Sequence, residues 1–137
     1  MAYWLVKSEP DSWNWSTHVK EKTAVWDGIR NHQANNFMKE MKRGDRAFFY
    51  HTGDEKQIVG VLEVARTWQP DPKDETGKFG TVGMTALFAV KRPVTLAEIK
   101  ATPALKDMKL LKQTRLSVSP LTDAEWKKLG SMAETKA

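Results

Sequence analysis

The chain of 137 residues contains no cysteine, which excludes a disulfide framework, a thiol nucleophile and any zinc site built on thiolates. It also lacks a long apolar run. The N-terminal stretch from Tyr3 to Val6 has no basic region before it, so it predicts neither a signal peptide nor one of the ~18-residue apolar segments that span a membrane. A cytoplasmic protein is the expectation, or a nuclear one in a eukaryote. Histidine is sparse: His18, His32 and His51 show no ligand spacing with carboxylates, and neither a metal nor another cofactor is expected. Gly77, Gly80 and Gly83 stand three apart, which matches neither a dinucleotide fingerprint nor a phosphate loop. Ser8, His51 and Asp27 are the residue types of a catalytic triad, but no nucleophile-elbow sequence accompanies them. No enzyme motif remains, and a non-enzymatic protein is expected.

What is present is an ordinary globular balance, 40% apolar and 28% charged, which does not fit disorder or a collagen-like chain. The length suits one compact core, placed at residues 1–130, with 131–137 as a frayed tail. The net charge of +5 is concentrated in residues 91–115, where seven basic residues face two acidic ones. Such a segment on an otherwise neutral domain resembles a phosphate footprint, with Lys91, Arg92, Lys109 and Lys112 as contacts. A solvated lysine face has the same composition. Tryptophan is in excess, with six against two tyrosines.

Residues 3–6 predict a short strand, stopped by Pro10. Residues 11–21 fit a helix through Trp15 and Val19, although Asn14, Ser16 and Thr17 suit a helix interior poorly. Residues 31–43 predict a firmer helix. Asn31 caps it, Ala34, Phe37, Met38 and Met41 make one apolar stripe, and Gly44 stops it. Residues 46–51 and 58–68 predict a hairpin. Ile58, Leu62 and Val64 share one face of its second strand and Val59 and Val61 the other, as in a central strand or barrel wall. Another strand is expected at 81–91 and a short one at 116–118. Thr95 with Glu98 and Thr122 with Glu125 form two capping boxes, stapled by Val94 with Ile99 and Leu121 with Trp126, and Gly130 is expected to end the last helix. The order β, α, α, β, β, β, α, β, α predicts an α+β fold, a small curved or barrel-like sheet flanked by helices.

Three segments place polar and aromatic residues where a plain core would not. Lys7-Ser8-Glu9-Pro10 ends the first strand and suits a pocket rim, or simply a strand-to-turn transition. In Trp26-Asp27-Gly28-Ile29-Arg30-Asn31, Trp26 offers a flat face, Arg30 a cation and Asn31 a helix start able to receive an anion or base edge. Equally, Trp26 is core and Asn31 only a cap. Phe49-Tyr50-His51-Thr52 closes a strand, with Tyr50 on one face and Phe49 and His51 on the other. Either ring can hydrogen-bond a ligand, or serve as a core tyrosine and a surface histidine. Together the three suit a planar heteroaromatic ligand, as in proteins that hold one nucleobase between aromatic faces.

These residues carry a family resemblance. Lys-Ser-Glu-Pro at 7–10, Trp-Asp-Gly-Ile-Arg-Asn at 26–31, Gln-Ala at 33–34, Asn-Phe-Met at 36–38, Phe-Tyr-His at 49–51, Ile-Val-Gly at 58–60 and Arg-Leu-Ser-Val at 115–118 together resemble the EVE-domain family. The resemblance implies a PUA-like fold, a mixed β pseudo-barrel flanked by helices, with kinship to YTH domains. It implies a binding module for a modified nucleobase, modified cytosine in DNA above all and modified RNA otherwise. It maps Ser8, Trp26, Asn31, Tyr50, His51 and Arg115 to the pocket or its rim, with Arg30 beside them, and makes nucleic acid the partner. Where the family has Tyr-Gln-Ala-Arg-Asn, this chain has His32-Gln33-Ala34-Asn35-Asn36, losing an aromatic and a cation near the expected rim. A family tryptophan in the strand before the basic segment is also missing, the nearest stretch being Met84 to Phe88. Two other readings stand beside this one. One is an enzyme acting on a nucleotide or modified base, with His51 or Asp27 as acid/base. The other is a binder of a small free heteroaromatic metabolite.

Overall fold

The computed structural model describes all of residues 1–137. Six strands form one sheet: β1 (Tyr3–Ser8), β2 (Thr23–Trp26), β3 (Arg46–His51), β4 (Gln57–Pro70), β5 (Gly80–Thr95) and β6 (Val118–Leu121). Their order is β2-β5-β4-β3-β1-β6. β1 and β3 are parallel and the other neighbours antiparallel, so the sheet is mixed. Five helices flank it: α1 (Trp15–Glu21), α2 (His32–Glu40), α3 (Leu96–Lys100), α4 (Lys109–Lys112) and α5 (Asp123–Met132). None is long and apolar enough to cross a membrane. The α+β expectation is met.

Alternation along the strands sends side chains into two cores, one on each face of the sheet. Ala47 and Phe49 of β3 join Trp4, Val6, Trp26, Ala34 and Met38 of α2, and Met41 just beyond α2, which ends at Glu40 and not at the expected Arg43. Phe48 and Tyr50 join Leu5, Ile99, Trp126 and Leu129 on the side of α3 and α5. Apolar residues on both faces of β4 follow from this arrangement, but the expected faces need correction. The β4–β5 register shifts at four points between Ile58 and Gln69, and one shift turns Ile58 to the side of Val61, away from Leu62 and Val64. Bulges bend and twist a strand. Here they accompany a sheet curled so far that β1 and β2, with three strands between them, line one cavity.

The helix starts form as their sequences predict. Asn31 accepts the Ala34 N–H at 2.9 Å, and both capping boxes are present. Elsewhere the chain departs from expectation. The first helix begins at Trp15, because Asn14 is its cap, accepting the Thr17 N–H at 2.9 Å. β2 has no counterpart in the expected order; it is a four-residue edge strand with Thr23 and Val25 exposed and only Trp26 buried. β6 includes Pro120, which an edge strand tolerates because its outer N–H needs no partner. α5 passes Gly130 and ends at Met132. Residues beyond it pack rather than fray: Ala133 is buried, the Thr135 hydroxyl accepts the Lys91 N–H at 2.8 Å, and Arg46 donates to the Ala137 carbonyl at 3.3 Å.

Asp45, buried at the start of β3, ties this framework together. Its carboxylate accepts the Trp4 indole N–H at 3.1 Å, the Lys42 N–H at 3.0 Å and the Ala2 N–H at 3.2 Å. A buried donor left without an acceptor costs about 1–3 kcal/mol. Asp45→Ala is therefore expected to lower the urea-unfolding free energy by at least that much, with Asp45→Asn recovering part of it.

Candidate functional site

β1 ends at Ser8, and the chain turns back at Pro10. The N–H groups of Ser12 and Trp13 both donate to the Glu9 carbonyl at 2.9 Å, and the Ser8 hydroxyl donates to the Trp13 carbonyl at 2.6 Å. This turn brings Trp13 to the neighbourhood of Trp26, the last residue of β2. A cavity of about 460 Å³ opens there, lined by Lys7, Ser8, Glu9 and Ser12 on one side and Trp26, Asp27 and Ile29 on the other, with Trp13 and Val25 completing the wall.

The two indoles meet at His18 rather than at each other. Trp26 is buried and set edge-to-face on Phe49, with centroids 5.4 Å apart; Trp13 is half-buried. His18 is wholly buried, its Nδ1 3.1 Å from the Trp13 indole nitrogen and its Nε2 2.8 Å from the Met84 carbonyl. A carbonyl can only accept, so Nε2 carries the proton and Nδ1 accepts from Trp13. Burial pushes the His18 pKa down, opposed by its bond to Met84, and this favours the neutral ring that the two bonds require. Trp26 lies across the imidazole at 6.2 Å. Neither Trp13 nor His18 was anticipated. The available signal was Asn14: as a helix cap it places Trp13 in the preceding turn, beside Ser8.

The expected residues divide among several places. Ser8 and Trp26 line the cavity. Asn31 and Arg115 line a second recess, about 320 Å³, together with Gln33, Lys112 and Gln113. The two openings adjoin, because Lys7 of the first donates its ammonium to the Thr114 carbonyl of the second at 3.0 Å. Burial lowers the Lys7 pKa. Arg30 turns elsewhere, donating to Asp71 at 3.2 Å and lying 5.8 Å from the Phe79 ring centre, so it pins the β4–β5 loop.

Tyr50 and His51 are corrected. Alternation turns Tyr50 into the opposite core, with the sheet between its ring and the cavity, and burial raises its pKa. His51 points to the cavity's side of the sheet but is fully engaged. Its Nε2 accepts the Trp15 N–H at 3.1 Å and its Nδ1 stands 2.8 Å from the Glu55 carboxylate. It supports the start of α1 and has no ring nitrogen left for a ligand.

The basic segment does not form one patch. Arg92 pairs with Glu98 and donates to the Met132 carbonyl at 3.0 Å. Lys91, beside it, is held through its backbone by Thr135. Lys112 pairs with Asp107 at 3.1 Å, at the recess that holds Arg115, and Lys109 is half-buried in α4. Nor do the departures at 32 and 35 touch the cavity. His32 lies against Phe79 at 4.8 Å. Asn35 is buried, accepting the Trp68 indole N–H at 2.9 Å and the Gly80 N–H at 3.0 Å while donating to the Lys78 carbonyl at 2.9 Å. Both residues anchor the β4–β5 loop.

A larger groove of about 810 Å³ opens near Lys39, Lys42, Asp45 and Asp123. Both of its rings are engaged elsewhere: Trp4 directs its N–H to Asp45, and Tyr3 stacks on Trp126 at 4.4 Å. The smaller cavity has two indoles, hydroxyls and two carboxylates, the equipment to hold a flat heteroaromatic ring.

An EVE-domain family model matches residues 2–132. Mouse thymocyte nuclear protein 1 is 34% identical over 98% of this chain and 74% of its own length. Among solved structures, Rpa0253 from Rhodopseudomonas palustris is similar with a TM-score of 0.93 and 49% identity, covering 98% of this chain and 94% of that one. Human THYN1 in complex with DNA containing 5-methylcytosine has a TM-score of 0.89 and 31% identity, with 100% of both chains covered. The YTH domain of Zygosaccharomyces rouxii MRB1 protein, 16% identical with a TM-score of 0.60 over 99% of this chain and 89% of that one, shares the PUA-like fold. On the match of nearly its whole length, the chain belongs to the EVE-domain family.

Proposed function

We propose that the cavity between Trp13 and Trp26 receives one modified base of a nucleic acid, with methylated cytosine in DNA as the ligand class. The observation that carries this reading is the pair of indoles, brought together by the curled sheet and fixed through His18. Stacking a base on an aromatic side chain contributes about 1–3 kcal/mol. The choice of methylated cytosine rests on similarity to human THYN1, whose structure holds DNA containing that base. The recess with Asn31, Lys112 and Arg115 adjoins the cavity and supplies the cations for the neighbouring phosphates. Binding without turnover fits the engagement of both His51 nitrogens, which leaves that residue no free acid or base.

The test is a titration with oligonucleotides carrying a single 5-methylcytosine or the unmodified base, in DNA and in RNA. A preference of at least tenfold for the methylated DNA is expected. Trp13→Ala removes one wall at a half-buried position and is expected to weaken binding about tenfold or more, with the far-UV circular dichroism unchanged. Equal affinity for modified and unmodified oligonucleotides contradicts the proposal. Salt separates it from a free metabolite: Arg115→Ala is expected to reduce the slope of log affinity against log salt by about one phosphate contact. Binding of a neutral metabolite has no such slope.

A further inference from the structure

The cavity wall carries chemistry that discriminates among bases. Asp27 follows Trp26 directly and lines the cavity. It is exposed, and the chain turns away after it at Gly28, where φ is +73°. Unlike the buried Asp45 and Asp71, which hold several donors, its carboxylate takes part in no hydrogen bond or ion pair. Several of the neighbouring donors are engaged. The Lys7 ammonium is bonded to the Thr114 carbonyl, and the Ser8 proton goes to the Trp13 carbonyl, leaving the oxygen lone pairs. Glu9 accepts from the Thr52 hydroxyl at 3.3 Å and adds a second carboxylate. The Ser12 hydroxyl and the Trp26 indole N–H take part in no hydrogen bond, and the Lys7 ammonium keeps further N–H groups. Beside these donors, the Asp27 carboxylate is the acceptor of the cavity wall that no other group of the protein occupies.

We infer that Asp27 accepts from the exocyclic amino group of the bound base, so that the cavity selects amino-bearing bases against keto-bearing ones. This rests on the base-binding reading above. An ionised carboxylate can only accept. It pairs with the N4 amino group of cytosine or N6 of adenine and repels the O4 of thymine or uracil. 5-Methylcytosine and thymine carry the same methyl group and the same stacking face. They differ along the edge that offers N4–H₂ and N3 in one and O4 and N3–H in the other, so the pair isolates what Asp27 contributes.

The experiment uses the full chain and single-stranded DNA of one sequence, with 5-methylcytosine or thymine at a single position. The wild type is expected to favour 5-methylcytosine about ten- to hundredfold, the discrimination typical of a well-made base contact. The amide of Asp27→Asn can donate as well as accept. That variant is expected to lose about tenfold or more for 5-methylcytosine and to bring the two affinities within about threefold, at unchanged thermal stability. Asp27→Ser serves as a second variant and is expected to narrow the ratio in the same way. If the wild type binds both oligonucleotides equally and Trp13→Ala weakens both, the assignment of Asp27 is overturned while the base pocket stands. An unchanged ratio in Asp27→Asn and Asp27→Ser overturns it too. If neither oligonucleotide binds, or Trp13→Ala has no effect on either, the base-binding reading itself fails.

Discussion

Gly80→Ala is expected to cost the domain more stability than any other glycine-to-alanine substitution within its sheet. A Cβ at this position falls inside both the Trp68 indole and the Gln69 carbonyl. The carbonyl is backbone and cannot swing aside. The indole is held by its N–H bond to Asn35 and by Lys39, whose ammonium lies 4.8 Å from the ring. Overpacking costs typically about 1–3 kcal/mol and more where nothing can yield, out of a total near 5–15 kcal/mol for a domain. A loss of at least 3 kcal/mol is expected in urea unfolding. At Gly60 the three atoms nearest to an added Cβ are side-chain atoms of the half-buried Trp15 ring, with no backbone among them, so a loss of about 1–3 kcal/mol is expected. Gly83→Ala approaches the Arg66 Cβ at 3.0 Å and is expected to be the mildest of the three. Equal effects at all three positions contradict this packing.

His18→Ala has the second large expected effect. Removing a wholly buried ring opens a void and leaves the Trp13 indole N–H and the Met84 carbonyl without their partner. About 3–5 kcal/mol is expected, judged from large-to-small substitutions in cores together with an orphaned buried donor. The same residue predicts a pH dependence. Because burial lowers the His18 pKa in the folded state, the unfolded chain takes up the proton at a higher pH than the folded one. The stabilisation from the neutral ring is therefore complete above the unfolded value of about 6.5 and is lost as pH falls through it towards the folded pKa. Protonation also puts a hydrogen on Nδ1, where it opposes the Trp13 N–H. Base affinity is expected to fall at lower pH than stability begins to, as the folded ring itself takes the proton and Trp13 loses its anchor. Unfolding free energies and affinities measured between pH 7.5 and 5 test both expectations, with His18→Gln predicted to flatten the two profiles. Profiles indistinguishable from those of the wild type contradict the role given to His18.

The local signals in the sequence were reliable where one short-range interaction decides the conformation. The Asn31 cap, the two capping boxes and β3 stand where their residues place them, as do Ala34 and Met38 of the α2 stripe, although α2 ends at Glu40, before Gly44. What escaped depends on distant partners. β2 is held by backbone pairing to β5, and its four residues, with Val25 exposed and Trp26 buried, are too few to show an alternation. The bulges that reassign Ile58 and accompany the curl of the sheet are pairing irregularities with no residue signature of their own. Tyr50 was legible as facing away from Phe49, and that alternation outweighs its place in a polar-looking motif. Trp68, without a role in the sequence, is the ring that closes on Gly80 and Asn35. Trp126 does more than staple its helix, stacking on Tyr3 at 4.4 Å and Phe48 at 4.1 Å. The tryptophan excess is mostly architecture, but the cavity uses two indoles where the sequence marked one.

The proposed binding mode places a single base between Trp13 and Trp26. A crystal structure of the full chain with a short oligonucleotide carrying one 5-methylcytosine tests it most directly. The base is predicted to lie turned out of its strand, stacked on at least one of these two indoles, with its amino edge towards Asp27 and a flanking phosphate at Arg115. A base that stays stacked in its strand, or that occupies the groove beside Trp4, contradicts the account.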